Sequence, residues 1–122
     1  MNRSALAMCV LLASLATGAA QATCIYPREP ENIPDGAMAT YDEMVAAQKA
    51  VKQFDADISA YNACLDMELN AFLADPNLDE ARKIELGTMQ AKKNNAAVDH
   101  AQAVATRFNE QLRAYKDAQK KE

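Results

Sequence analysis

The sequence predicts an all-α protein, a long antiparallel two-helix hairpin over about 40–74 and 77–118, with an extended, proline-rich N-terminal arm packed back on it by a Cys24 to Cys64 disulfide. Three observations predict it. Two long stretches repeat apolar residues at alternating three- and four-residue steps, the pattern of helices lying side by side. A single break, Asp75-Pro76-Asn77, separates them, and a connection that short returns the second helix antiparallel to the first. The third observation is the pair of cysteines, one at the start of the arm and one well inside the first helix.

At 122 residues there is room for one small domain. Residues 1–22, MNRSALAMCVLLASLATGAAQA, have the form of a secretory signal peptide. Arg3 supplies the basic start, residues 5–16 the apolar stretch, and Ala20-Gln21-Ala22 a small-x-small cleavage site. The stretch is short for a membrane span, which takes about 20 residues, and no second such run follows. Thr23 before Cys24 and Met8 before Cys9 do not suit a lipid-anchored export signal. The expectation is an exported protein, periplasmic or secreted, without a membrane span in its mature form. The arm would occupy 23–39 and the hairpin 40–122, the two forming one domain.

Cleavage removes Cys9 and leaves Cys24 and Cys64. An even pair in an exported chain is most simply a disulfide. The alternatives are free thiols or a metal site, but two thiols with one distant histidine make a poor set for a structural zinc, which wants four ligands. Closing a loop of about 40 residues stabilises a fold by roughly 4 kcal/mol in the chain-entropy model. The whole chain carries 13 basic and 17 acidic residues, a net charge of −4, and losing Arg3 with the leader makes it one unit more acidic. An acidic, mixed surface argues against nucleic acid or anionic membrane as the main partner. Tryptophan is absent and aromatics are 6% of residues, so few rings are available to line a ligand cavity.

Along the arm, Pro27, Pro30 and Pro34 exclude a helix and favour polyproline II. Ile33-Pro34-Asp35-Gly36 reads as a β-turn. Thr40-Tyr41-Asp42-Glu43 is a capping box, with Thr40 and Glu43 the reciprocal partners. The first seam runs through Met44, Ala47, Val51, Phe54, Ile58, Tyr61, Leu65 and Phe72. After Pro76, with Asp75 or Asn77 as N-cap, the second seam runs through Ile84, Ala91, Val98, Ala101, Ala105, Phe108, Leu112 and Tyr115. Asp79 with Lys83 and Asp117 with Lys121 are expected surface pairs of small value. Gly87 lies across from Leu65 in such a hairpin, either as a gap admitting the arm or as a glycine tolerated on a wet face.

Length arithmetic places the arm. Thr40 and Cys64 lie 24 positions apart on one helix, about 36 Å at helical rise. The arm's 16 positions from Cys24 to Thr40 reach about 50 Å in polyproline II. The bond therefore closes only if the arm doubles back along the hairpin, laying Tyr26, Ile33 and the proline rings over the groove between the helices.

Catalytic chemistry finds little support. His100 is the one histidine and is expected on the wet side, beside seam positions Val98 and Ala101. No serine, cysteine or lysine has a base assigned to it by spacing, and CxxCH is absent. A b-type haem would need His100 plus one of Met44, Met67 or Met89, residues that more often fill cores. Asp55 and Asp57 diverge on a helix rather than forming a dyad. Lys92-Lys93 and Lys120-Lys121 are too sparse to track phosphates. No catalytic, cofactor or metal residue is assigned.

The features Ile33-Pro34-Asp35-Gly36, Ala39-Thr40, Met44, Ala47, Val51-Lys52, Tyr61 and Cys64-Leu65, behind a leader and a proline-rich arm, resemble small exported helical proteins of Gram-negative bacteria. The resemblance covers roughly residues 24–68 and implies an envelope location and no established activity. In architecture the chain is also similar to periplasmic helical-hairpin chaperones, although it lacks LTxxQ repeats and is not basic. The expected function is a non-enzymatic binding or scaffolding protein. A holdase for unfolded envelope proteins is the alternative, and a small-ligand or haem carrier a weaker one. Alanines flanking the seams, among them Ala46, Ala50, Ala60, Ala63 and Ala96, either admit a homodimeric four-helix bundle or an envelope partner, or simply raise helix propensity. A mutual disulfide predicts that Cys24→Ser and Cys64→Ser lower the melting temperature equally, each losing roughly 4 kcal/mol of stability. Unequal losses in thermal denaturation would separate the two thiols.

Overall fold

A computed structural model describes residues 23–121; the leader-like stretch 1–22 lies outside the described residues. Two helices follow the arm, α1 over Tyr41–Leu73 and α2 over Glu80–Gln119, and they pack against each other as an antiparallel hairpin. α1 starts where its capping box closes. The Glu43 amide donates to Thr40 Oγ1 at 3.2 Å, and the Thr40 amide donates to Glu43 Oε2 at 2.7 Å. Two of the helix's orphan amide donors are thereby satisfied.

The hairpin turn departs from the expected start of α2 at residue 77. Asp75 Oδ1 accepts the Asn77 amide at 2.9 Å, and the Leu78 amide donates to the Asp75 carbonyl at 3.3 Å. Because Asp75 is used in this turn, the next free carboxylate becomes the cap. Asp79 Oδ1 accepts the Arg82 amide at 2.7 Å, and α2 begins at Glu80. With Asp79 so engaged, Lys83 pairs with Glu80 at 3.8 Å, and Lys120 rather than Lys121 reaches Asp117 at 3.3 Å. The expected β-turn is displaced in the same manner. Asp35 begins it rather than Ile33, its carboxylate accepting the Ala37 amide at 3.0 Å and its carbonyl accepting the Met38 amide at 3.1 Å.

The arm runs back beside α1 in the opposite direction and ends at the Cys24 to Cys64 disulfide, with Cα atoms 5.8 Å apart. Tyr26 meets Tyr61 of α1 and His100 of α2. Further along, Gly36 donates its amide to Gln111 Oε1 at 2.9 Å. The arm therefore fills the groove between the helices as a third layer, as the length arithmetic requires.

The core forms two clusters. Phe54 and Ile58 of α1 meet Ala97, Ala101 and Val104 of α2 in one; Met44 and Ala47 meet Phe108 in the other. Ile33 of the arm and Val51 of α1 pack against both. On α1 the expected seam is buried or half-buried from Met44 to Leu65, but Phe72 is 41% exposed. On α2, Ala101 and Phe108 are buried and Leu112 and Tyr115 half-buried as expected. Ile84 and Val98 are corrected: they are 64% and 42% exposed. So is Ala91, which is exposed. The true line passes through Ala97 and Val104, one residue out of phase with Val98 and Ala105. Large side chains from α1 fill the contact, so α2 contributes alanines there, and small opposite large is how close-packed layers interlock.

The two glycines within the described hairpin and arm differ in kind. A Cβ on Gly36 would overlap the Gln111 carbonyl and stand 2.9 Å from the Tyr115 amide; on Gly87 it would meet nothing within 4 Å. Gly36 is needed where the arm crosses α2, and Gly87 is a glycine on a wet face rather than a gap. Gly36→Ala should destabilise by about 1–3 kcal/mol through overpacking, while Gly87→Ala should stabilise by up to about 1 kcal/mol through helix propensity. Urea denaturation of the two variants checks the opposite signs.

Candidate binding groove

Two places on the hairpin bring chemically distinct side chains together: the latch that holds the arm, and the stretch of groove that the arm does not reach. In the latch, His100 stands between Tyr26 and Phe54. Its ring is parallel to Tyr26 with centroids 5.9 Å apart, and edge-on to Phe54 at 5.2 Å. Nε2 lies 2.7 Å from Glu29 Oε2, which also accepts from Arg107 at 3.2 Å. An ionised carboxylate only accepts, so Nε2 is the donor to Glu29, while Nδ1 lies 2.8 Å from the Tyr26 hydroxyl, a group able to donate or accept. The His100 hydrogen bond, aided by the Arg107 charge, holds the Glu29 carboxyl below the usual carboxylate range. Burial, with Tyr61 and Glu29 nearby, pushes the Tyr26 phenol up. His100 is thus not the free solvated histidine expected, and both ring nitrogens that a haem carrier would draw on are engaged.

Register explains the meeting. Tyr26 and Glu29 are three residues apart in an extended arm, about 9 Å. His100 and Arg107 are seven apart on a helix, about 10 Å. The two ladders match. That signal was present in the sequence once the arm's direction was set, but no single residue carries it.

Beyond the disulfide the same groove continues uncovered. Leu65, Leu69 and Phe72 of α1 face Leu86 and Met89 of α2 around a cavity of 180 Å³. Glu68 on α1 and Lys93 on α2 form its charged rims, with Gln90 beside them. Lys93 is two heptads before Arg107, and Gln90 three before Gln111, so the floor lies on the face the arm occupies elsewhere. Phe72, Leu73 and Met89 are 41%, 39% and 44% exposed. Between the groove and the core sits a polar layer. Gln90 and Asn94 both donate to Asp66 Oδ1, and Oδ1 of Asn62 and of Asn94 are buried without a partner.

Of the residues singled out in the sequence, the disulfide and the Thr40 and Glu43 capping box are where they were placed, while the cap of α2 is Asp79 rather than Asp75 or Asn77. Phe72 contributes to the uncovered groove rather than to a closed seam; Leu69 and Leu86 carry no expectation from the sequence, and Met89 only that of a haem ligand or core filler. For Leu69 the signal is the continuation of the first seam, four residues past Leu65 and three before Phe72. Among the described residues no group of three or more His, Cys, Asp or Glu side chains could hold a metal ion, and no helix is long and apolar enough to cross a membrane. No protein family, curated protein or solved structure matches the chain.

The latch makes an acid prediction. A carboxylate whose value is depressed on folding contributes stability that is present above its unfolded value and lost as pH falls through the depressed one. The melting temperature should therefore fall as pH drops below the ordinary 4.5 of Glu29. Glu43, lowered by the Thr40 amide, adds to the same slope. Glu29→Gln should flatten that fall without abolishing it, read by thermal melts between neutral and acidic buffers.

Proposed function

We propose that this protein is a non-enzymatic binding or scaffolding module of the cell envelope, exported by the leader-like stretch 1–22 and stapled in an oxidising compartment. The observation that carries this reading is the uncovered half of the groove. A chain that straps one half of its interhelical groove with its own arm leaves the other half, lined by Leu69, Phe72, Leu86 and Met89, open to solvent. Apolar grooves rimmed by polar groups are where partners dock. The latch, by contrast, uses its titratable groups on one another, so it supports a structural role and no turnover.

A holdase reading draws on the same surface, because Met89 is exposed there and methionine adapts its shape to varied apolar partners. The two readings differ in how many partners the groove takes. A photo-crosslinking residue in place of Met89, in the full chain in its native envelope, should give one discrete adduct that Leu69→Glu abolishes. A broad spread of adducts would favour the holdase, and an adduct of two chain masses a homodimer. Labelling no stronger than at exposed Gln102 would overturn the groove as the working surface.

A further inference from the structure

The arm shows how this groove holds polypeptide, and the same devices recur in the half it does not fill. In the covered half, an aromatic side chain of an extended segment, Tyr26, rests on Tyr61 and His100. Three residues on, Glu29 meets the Arg107 guanidinium. Still further on, a backbone amide is accepted by the Gln111 side chain. In the open half, an apolar floor at Leu69 and Leu86 is followed seven residues along α2 by Lys93, the spacing that separates His100 from Arg107. Gln90 stands at the wall as Gln111 does. Lys93 makes no ion pair among the described residues, and neither does Glu68 opposite it.

Resting on the binding reading above, we infer that the open half of the groove takes an extended peptide running in the arm's direction, with a large apolar residue on the Leu69 and Leu86 floor and a carboxylate three residues later at Lys93. Continuity selects this occupant. Heptad spacing sets Leu86 and Lys93 on the α2 face that carries His100 and Arg107, so the open half continues the arm's seat along α2. Charge selects the acid: the α2 wall is cationic in both halves, at Arg107 and at Lys93, and the arm answers the first with Glu29. Three residues of extended chain cover about 9 Å, against about 10 Å for the seven helical residues from Leu86 to Lys93. A peptide of this kind docks as the arm does, without needing a rearrangement of either helix.

The arm's own sequence is the natural probe. A fluorescent peptide of residues 24–32, with serine in place of the cysteine, is titrated into the full mature chain with its disulfide intact, where the covered half is already filled. Fluorescence anisotropy should show saturable binding. Lys93→Glu should weaken it about fivefold, the scale of a partly exposed ion pair turned into a like-charge pair. A peptide with lysine at its glutamate equivalent to Glu29 should recover that loss on the Lys93→Glu protein. Melting curves should stay unchanged for Lys93→Glu, because the side chain has no intramolecular ion pair to lose. Absence of saturable binding would overturn the proposal, as would binding indifferent to both Lys93→Glu and Leu69→Glu, or a concentration-dependent dimer that the peptide fails to compete. If crosslinking at Met89 still gives a discrete adduct while the peptide does not bind, the groove is a docking site for a partner of different chemistry.

Discussion

Two helices side by side share only one strip of contact, and everything else in this molecule depends on the arm that widens it. Ile33 touches both core clusters, which without it would be joined only through Val51. Polar contacts alone would hold the arm weakly. Glu29, Arg107 and His100 are 44%, 54% and 36% exposed, and ion pairs that wet contribute little. The covalent bond changes the terms. With Cys24 fixed to Cys64, the arm is anchored at both ends, and each weak contact along it forms at high effective concentration rather than against the entropy of a free chain.

The arm's end also divides the hairpin in two. From α1's first turn to Cys64, three layers exclude water from Phe54, Ile58, Ala97 and Val104. Beyond it, two layers meet through the polar set Asp66, Gln90 and Asn94, where two amide oxygens lack partners. The tip therefore has fewer apolar contacts and more exposed side chains than the strapped half, the physical signature of a segment that opens more readily than the rest. Binding surfaces are commonly drawn from such segments.

Much of this was legible before any coordinates. Thr40 and Glu43 announce the helix start because capping is local, confined to four residues. The fold-back of the arm was legible because chain reach and helix rise are fixed lengths, and only one arrangement closes the bond between Cys24 and Cys64. The phase of α2 was not. Val98 and Ile84 are the more apolar residues, and periodicity weighted by hydrophobicity chooses them over Ala97. What decided otherwise was the bulk of Phe54 and Ile58 across the seam, a property of the partner helix that α2 alone does not record. His100 was misread for the same reason, since its partners Tyr26 and Glu29 lie more than 70 positions away.

The division of the groove has a consequence for how this surface can change. Gln111, where the arm is received, and Gln90, at the open half, are separated by 21 positions of one helix, about 30 Å. Substitutions that far apart with no shared partners affect stability additively. The residues that hold the arm can therefore be kept for stability while the open half varies its rims, Glu68 and Lys93, to suit a partner. On the proposed reading, polypeptide recognition and self-strapping share one groove and one set of devices, on either side of the disulfide at Cys64. A groove that already solves the problem of holding an extended chain needs only to leave half of itself empty to become a binding site.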